Sequence, residues 1–186
     1  MKNKILLLVL GLMISPAALA QEFGALVGVH QTSADAESSA GSVDGKFNFK
    51  AGVSVGFELN DAAKFRTGLL YNQRHLDYSV SGGKYELNFA YFDVPALVQY
   101  NVNEMFGFFG GLVVGINVND DIKAPVGATP SNADVEKLIP LLSVGFNMTF
   151  QDQIGFDVYY ERGMGGIADN LIENYSTFGA SFLYWF

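Results

Sequence analysis

The sequence contains no cysteine. That excludes a disulfide scaffold, a thiolate-held zinc, a thiol nucleophile and a lipidated N-terminal cysteine. Positive charge is scarce: 11 Lys and Arg stand against 19 Asp and Glu, for a net charge of −8. A nucleic-acid binder needs a basic footprint, so nucleic acid is excluded as a partner. Charge of either sign is low at 16%, while aromatics reach 14%, a composition that does not suit a disordered chain. There are two histidines, too few and too isolated for a metal centre. After the first 20 residues no stretch approaches 18 uninterrupted apolar residues, so no transmembrane helix is expected.

What is present begins with a leader. Residues 1–20 carry Lys2 and Lys4, an apolar run from Ile5 to Ile14, and Ala18-Leu19-Ala20 as a small-x-small cleavage site. This reads as a secretory signal peptide, with 21–186 as one mature domain. The apolar run is too short to span about 30 Å of hydrocarbon. Loss of Lys2 and Lys4 takes the net charge from −8 to −10.

The mature chain has a period of two. In residues 47–59 every odd position is apolar, from Phe47 to Leu59, and every even position is small or polar, including Lys50, Ser54 and Glu58. A helix would mix Phe47 with Lys50 on one face, whereas a strand separates them. The same alternation recurs around 23–29, 65–71, 92–100, 106–116, 144–150, 154–160 and 178–186, which makes eight strands. Short connections near 60–62, 103–104 and 151–152 alternate with long polar ones at roughly 32–46, 79–84, 119–136 and 164–174. This predicts an all-β, eight-stranded antiparallel up-and-down transmembrane barrel. Its first and last strands must pair, because an open edge in lipid leaves backbone groups unsatisfied at several kcal/mol each. Pro95 and Pro140 remove strand donors and are expected near bulges or strand ends. Ser131–Leu138 is the one segment read as a helical turn.

A soluble barrel would turn its apolar face inward. Here the small and polar face is too poor in bulk to coat a soluble surface. The apolar face carries aromatics near strand ends, such as Phe57, Phe65, Tyr100, Phe106 and Phe150. That pattern fits an interfacial girdle in the cell outer membrane. Tyr184 and the terminal Phe186 form the alternating aromatic end read by the barrel assembly machinery. No further domain is expected after Phe186 to anchor peptidoglycan.

The run Ala90-Tyr91-Phe92-Asp93-Val94-Pro95-Ala96-Leu97-Val98-Gln99-Tyr100 resembles the Tyr-Leu-Glu-Ile-Pro-Leu-Leu-x-x-Tyr core of PorT-like outer-membrane β-barrels, with Asp93 in place of Glu and Ala96 in place of one Leu. Gly68-Leu69-Leu70-Tyr71 is similar to that family's G-L-x-Y strand, and Phe109-Gly110-Gly111-Leu112 to its G-G-x strand. The resemblance implies an eight-stranded barrel without a general reaction, some relatives being tied to protein secretion. It supplies no catalytic residues.

Parity places Lys50, Lys64, Arg66 and Arg74 inside the barrel with Glu58, Asp93, Asp157 and Glu161. Eight strands leave an interior just wide enough for side chains. These charges are expected to pair across the lumen, Asp93 with Arg66 or Arg74, either plugging it or lining a narrow polar path. The long loops hold ten acids (Asp35, Glu37, Asp44, Asp77, Asp120, Asp121, Asp134, Glu136, Asp169 and Glu173) and four lysines (Lys46, Lys84, Lys123 and Lys137). They form an acidic rim that faces lipopolysaccharide or binds cations or a basic partner. Asn119-Asp120-Asp121 is too short for an EF-type calcium loop.

An enzyme reading would need His30 with Ser33 and Asp35 at the rim, His75 falling on the lipid-side parity, and no motif joins a nucleophile to a base. No catalytic residue, cofactor or metal is expected. The reading is a monomeric, non-enzymatic barrel with a plugged polar lumen, its termini in the periplasm. It presents long extracellular loops for structural or binding roles among outer-membrane lipid and lipopolysaccharide. The alternative is a transport or secretion component with an extracellular or secretion partner.

Overall fold

Alternation gives strands and turns, with no helix among the described residues. The structure, a computed structural model, describes residues 21–36, 42–80, 83–124, 135–151, 153–167 and 172–186. The predicted leader lies outside them. The strands are β1 (Gln21–Ala36), β2 (Ser42–Gly45), β3 (Phe47–Asn60), β4 (Ala63–Val80), β5 (Gly83–Asn101), β6 (Phe106–Lys123), β7 (Leu138–Phe150), β8 (Ile154–Gly163) and β9 (Ile172–Trp185).

β2 and β3 are two pieces of one wall strand, because both pair with β4 in registers one residue apart. Asn48 stitches the break at Lys46: its Nδ2 donates to Lys46 O and Thr32 Oγ1, and its Oδ1 accepts from His75 N. The wall therefore has eight staves, every neighbouring pair antiparallel. β1 pairs with β9 from Gly24↔Trp185 to Ala36↔Ile172, and β4 pairs with β5, which closes the cylinder. The last residue is tied in as well, since Phe186 N donates to Phe23 O at 2.8 Å. Closure leaves no sheet edge within the lipid, as a hydrocarbon environment requires.

The faces are those of a membrane barrel. Phe23, Val27, Val53, Leu69, Val98, Phe108, Val144 and Phe178 point outward and are exposed, while Lys50, Arg66, Arg74, Asp93, Asp157 and Glu161 are buried inside. Large apolar side chains outside and buried ions inside would be a costly arrangement in water. It is the stable one in lipid.

Above the belt the chemistry of the two faces exchanges. Along β4 the outward positions run Phe65, Leu69, Tyr71 and then Gln73, His75, Asp77, Ser79. The inward positions run Arg66, Asn72, Arg74 and then Leu76, Tyr78. β5 does the same: outward Phe92 gives way to Asn88, Glu86 and Lys84, and inward Asp93 to Tyr91, Phe89 and Leu87. The exchange falls at the level of Gln73↔Ala90. From there β4 continues for about 20–25 Å at about 3.3 Å per residue. Leu76, Leu87, Phe89, Tyr91, Leu141 and Tyr175 share one buried cluster. The loop end of the barrel is thus a small head with a polar outside, and its apolar core continues into the lumen through Tyr159, Phe109 and Leu97.

This corrects the expected loops. Residues 32–36, 42–45, 79–80, 83–84, 119–123 and 172–174 are strand, and β4 and β5 stay paired as far as Val80↔Gly83. In β4 and β5 the alternation continues with its phase inverted, so a template with the apolar side outward does not find it. Pro140 lies near the start of β7 as expected, but Pro95 sits well inside β5, away from the bulge at Ala90/Tyr91. It is tolerated because the β4 ladder is interrupted between Thr67↔Ala96 and Leu70↔Asp93. Of the expected helical turn, residues 131–134 lie outside the described residues; Val135 is an isolated bridge and Leu138 opens β7.

Candidate functional site

A strand alternation that puts Arg66 and Asp157 on inward positions fixes their height and direction, and the cylinder does the rest. β4 and β8 stand opposite one another in the ring of staves. The Arg66 guanidinium crosses the lumen to meet the Asp157 carboxylate at 2.6 Å (Nη2 to Oδ2) and 3.3 Å (Nη1 to Oδ1). Gln99 and Asn147 complete the layer: Arg66 Nη1 donates to Gln99 Oε1 at 3.0 Å, and Asn147 Nδ2 to Asp157 Oδ1 at 2.6 Å.

A second layer lies nearer the head. Arg74 is fully buried, and forks onto Asp93 at 3.0 and 2.8 Å while its Nε donates to Tyr175 Oη at 2.7 Å. Tyr175 exchanges a 2.7 Å hydrogen bond with Thr177, and Asn72 donates to Asp93 at 2.6 Å. The Tyr91 ring lies 4.7 Å from the Arg74 guanidinium carbon. Such a buried, bidentate, fully hydrogen-bonded pair is the geometry in which attraction offsets desolvation. A third, looser contact sits between these layers: Lys50 Nζ is 3.6 Å from Glu161 Oε1 and 3.5 Å from the centre of the Tyr159 ring.

Two of the expected lumen charges stand apart from these layers, at the turn end of the barrel. Lys64 pairs with Glu22 at the turn end. Glu58 is exposed next to a register shift at Glu58/Asn60, on the rim of a turn-end vestibule of about 640 Å³. Its parity is inward, but the wall ends there and the side chain meets solvent. Tyr184 and Phe186 face outward, ring centres 5.4 Å apart.

Sequence reasoning placed His30 inward but missed the other partners that fill the lumen: Glu22, Gln99, Asn147, Tyr159, Tyr175 and Trp185. All share the inward parity of their strands, so parity applied to uncharged polar and aromatic residues finds them. It also missed how large side chains fit. A Cβ at Gly145 would stand 2.3 Å from the Phe109 ring, and one at Gly179 would stand 2.5 Å from Tyr159 Oη. Inward glycines make room for aromatic rings from other strands. A cavity of about 30 Å³ lies between the layers, lined by Lys50, Arg66, Asp93, Asp157, Tyr159 and Glu161 among others. That is the space of about one or two waters.

The rim does not assemble a triad. His30 is buried inward, with its Nε2 2.9 Å from Gln73 O, whereas Ser33 and Asp35 of the same strand are exposed outward. Among the described residues no cluster of His, Asp and Glu has metal-holding geometry. The acidic rim is partly neutralised: Asp77, on the head above the belt, takes Lys46 at 2.5 Å and Lys84 at 2.6 Å. Burial opposes its charge, but hydrogen bonds from the two ammonium groups outweigh it and hold the carboxyl below its usual range. Glu37, Asp134 and Asp169 lie outside the described residues.

A family model described as "Outer membrane protein beta-barrel domain" matches residues 17–169. No curated protein matches the chain in sequence. Solved structures share the fold at low identity. Ail, the attachment invasion locus protein of Yersinia pestis, in complex with the heparin analogue sucrose octasulfate, is 15% identical at a TM-score of 0.55, over 89% of this chain and 100% of that one. The outer membrane protein OprG from Pseudomonas aeruginosa is 14% identical at 0.56, over 90% and 97%. Neisserial surface protein A is 12% identical at 0.53, over 89% and 97%.

Proposed function

This chain belongs to the outer membrane protein beta-barrel domain family, and from that premise we propose that it is a non-enzymatic barrel with a closed lumen that presents a folded extracellular head for binding or structural roles. The observation that carries this reading is the exchange of faces at Gln73↔Ala90, which puts a water-facing, apolar-cored head on top of a lipid-facing cylinder. The cross-lumen layers and the small cavity of about 30 Å³ between them support the closed lumen. In this reading residues 1–20 are cleaved as a signal peptide, and the short turns face the periplasm. The aromatic end at Tyr184 and Phe186 engages the assembly machinery. Attachment, the activity in the name of the Yersinia pestis protein, is the kind of role such a head would serve. The finer placement among PorT-like barrels rests on residues 90–100, whose Asp93 anchors the Arg74 layer. A second reading, as a secretion or transport component, is favoured by the polar vestibule of about 640 Å³ at the turn end, where a periplasmic partner would dock.

The absence of cysteine makes the test clean, because one introduced cysteine is the only thiol. Ser79→Cys on the head is expected to react with a membrane-impermeant maleimide on intact cells. Glu104→Cys in a short turn is expected to react only after the outer membrane is permeabilised. The reverse pattern, or no labelling of Ser79→Cys in a folded barrel, would contradict the reading.

A further inference from the structure

The outward rows of the barrel carry few cations, and most are already committed. Lys46 and Lys84 hold Asp77, and Lys123 lies 3.9 Å from Asp121. Arg162 differs. It stands on β8 two residues past Tyr160, on the same outward row, exposed, and without a carboxylate partner among the described residues. Its neighbours across the sheet are Leu142 and Ser176. Tyr160, Leu142 and Phe178 are exposed apolar residues of the belt, so the guanidinium sits where the apolar surface ends.

A cavity of about 390 Å³ opens at that point, lined by Arg162, Gly163, Met164, Gly165, Gly166 and Asn174. Met164 N is taken by Pro140 O, but the amides of Gly165 and Gly166 donate to no backbone carbonyl among the described residues. Nothing lies within 4 Å of where a Cβ on Gly165 would be. Met164 is 66% exposed, an apolar side chain beside a charged one. A guanidinium and glycine amides without partners among the described residues, beside an apolar surface, together suit an anion tethered to a hydrocarbon chain.

We propose that Arg162 and the Gly163–Gly166 loop bind the phosphate group of an anionic lipid headgroup at the outer-leaflet boundary. The guanidinium forks onto two phosphate oxygens, the loop amides take a third, and the acyl chains lie along Tyr160 and Phe178. Placement in the outer leaflet rests on the reading that the head faces outward. Binding itself is tested in micelles, where orientation plays no part, so the two claims fail separately.

The refolded barrel is titrated in neutral detergent with a diphosphorylated glucosamine-disaccharide lipid, with its dephosphorylated form, and with inorganic phosphate. The phosphorylated lipid is expected to bind about tenfold more tightly than the dephosphorylated one. Arg162→Gln and Gly165→Asp should abolish that preference, and Arg162→Lys should keep part of it. Lys84→Gln on β5, three staves away, should leave it intact. Heat-modifiable migration on a gel checks that each variant is folded. A preference that survives Arg162→Gln, or that falls equally in Lys84→Gln, overturns the site. Inorganic phosphate competing fully at the same concentrations overturns the lipid assignment in favour of a soluble anion.

Discussion

Arg66 and Asp157 grow from opposite staves of the barrel and meet in its centre at 2.6 Å. One ion pair therefore ties two walls that the backbone ladder connects only by going round half the cylinder. Removing one partner leaves the other charge buried, which costs about 3–5 kcal/mol. Asp157→Ala is expected to lose that much stability in a urea titration of the lipid-embedded barrel. The double change Arg66→Met with Asp157→Leu should recover most of it, because paired apolar groups remove both desolvation costs. Additive losses in the double variant would contradict a direct brace.

The head and the belt should respond oppositely to the same kind of truncation. Phe89 is fully buried in the head and Phe92, three residues on, faces lipid at 38% exposure. Phe89→Ala should cost about 3–5 kcal/mol through the cavity it leaves. Phe92→Ala loses only partial contacts and should cost markedly less. Hydrogen exchange of the β4–β5 hairpin should rise in Phe89→Ala alone.

Glycine at 145 is a matter of space. Gly145→Val is expected to drive a methyl into the Phe109 ring and destabilise the barrel by about 1–3 kcal/mol. Phe109→Ala in the same chain should relieve part of that cost, read by the same urea titration.

The Asp77 cluster gives the head an acid limit. Its carboxyl is held below the usual range by Lys46 and Lys84 despite burial. The folded state therefore gains stability above the unfolded value of about pH 4, and loses it as pH falls through the lower folded value. The difference in head protection between the parent and Asp77→Asn should be flat from neutral pH to about pH 4 and shrink below it. A difference that shrinks around pH 6 instead would implicate another group.

The cylinder was legible because lipid and ladder geometry both impose a period of two, and runs such as Phe47 to Leu59 obey it without exception. Inward parity likewise placed Arg66, Arg74, Asp93 and Asp157 on one surface. That Asp93 takes Arg66 or Arg74 was legible, but the choice between them depends on closure: Arg66 crosses the ring to Asp157, and Asp93 takes Arg74. The head was misread as loops because Leu76, Tyr78, Leu87 and Phe89 carry the apolar side inward, the opposite phase to the belt. Polar residues outside a membrane barrel signal only that lipid has ended, and the strand can continue.

The most direct measurement is single-channel recording of refolded residues 21–186 in a planar bilayer. With Arg66 and Arg74 locked onto carboxylates and a cavity of about 30 Å³ between the layers, the expected trace is silent while the protein remains heat-modifiable on a gel. Defined, ion-selective steps from that folded protein would contradict the closed lumen and make transport the better account.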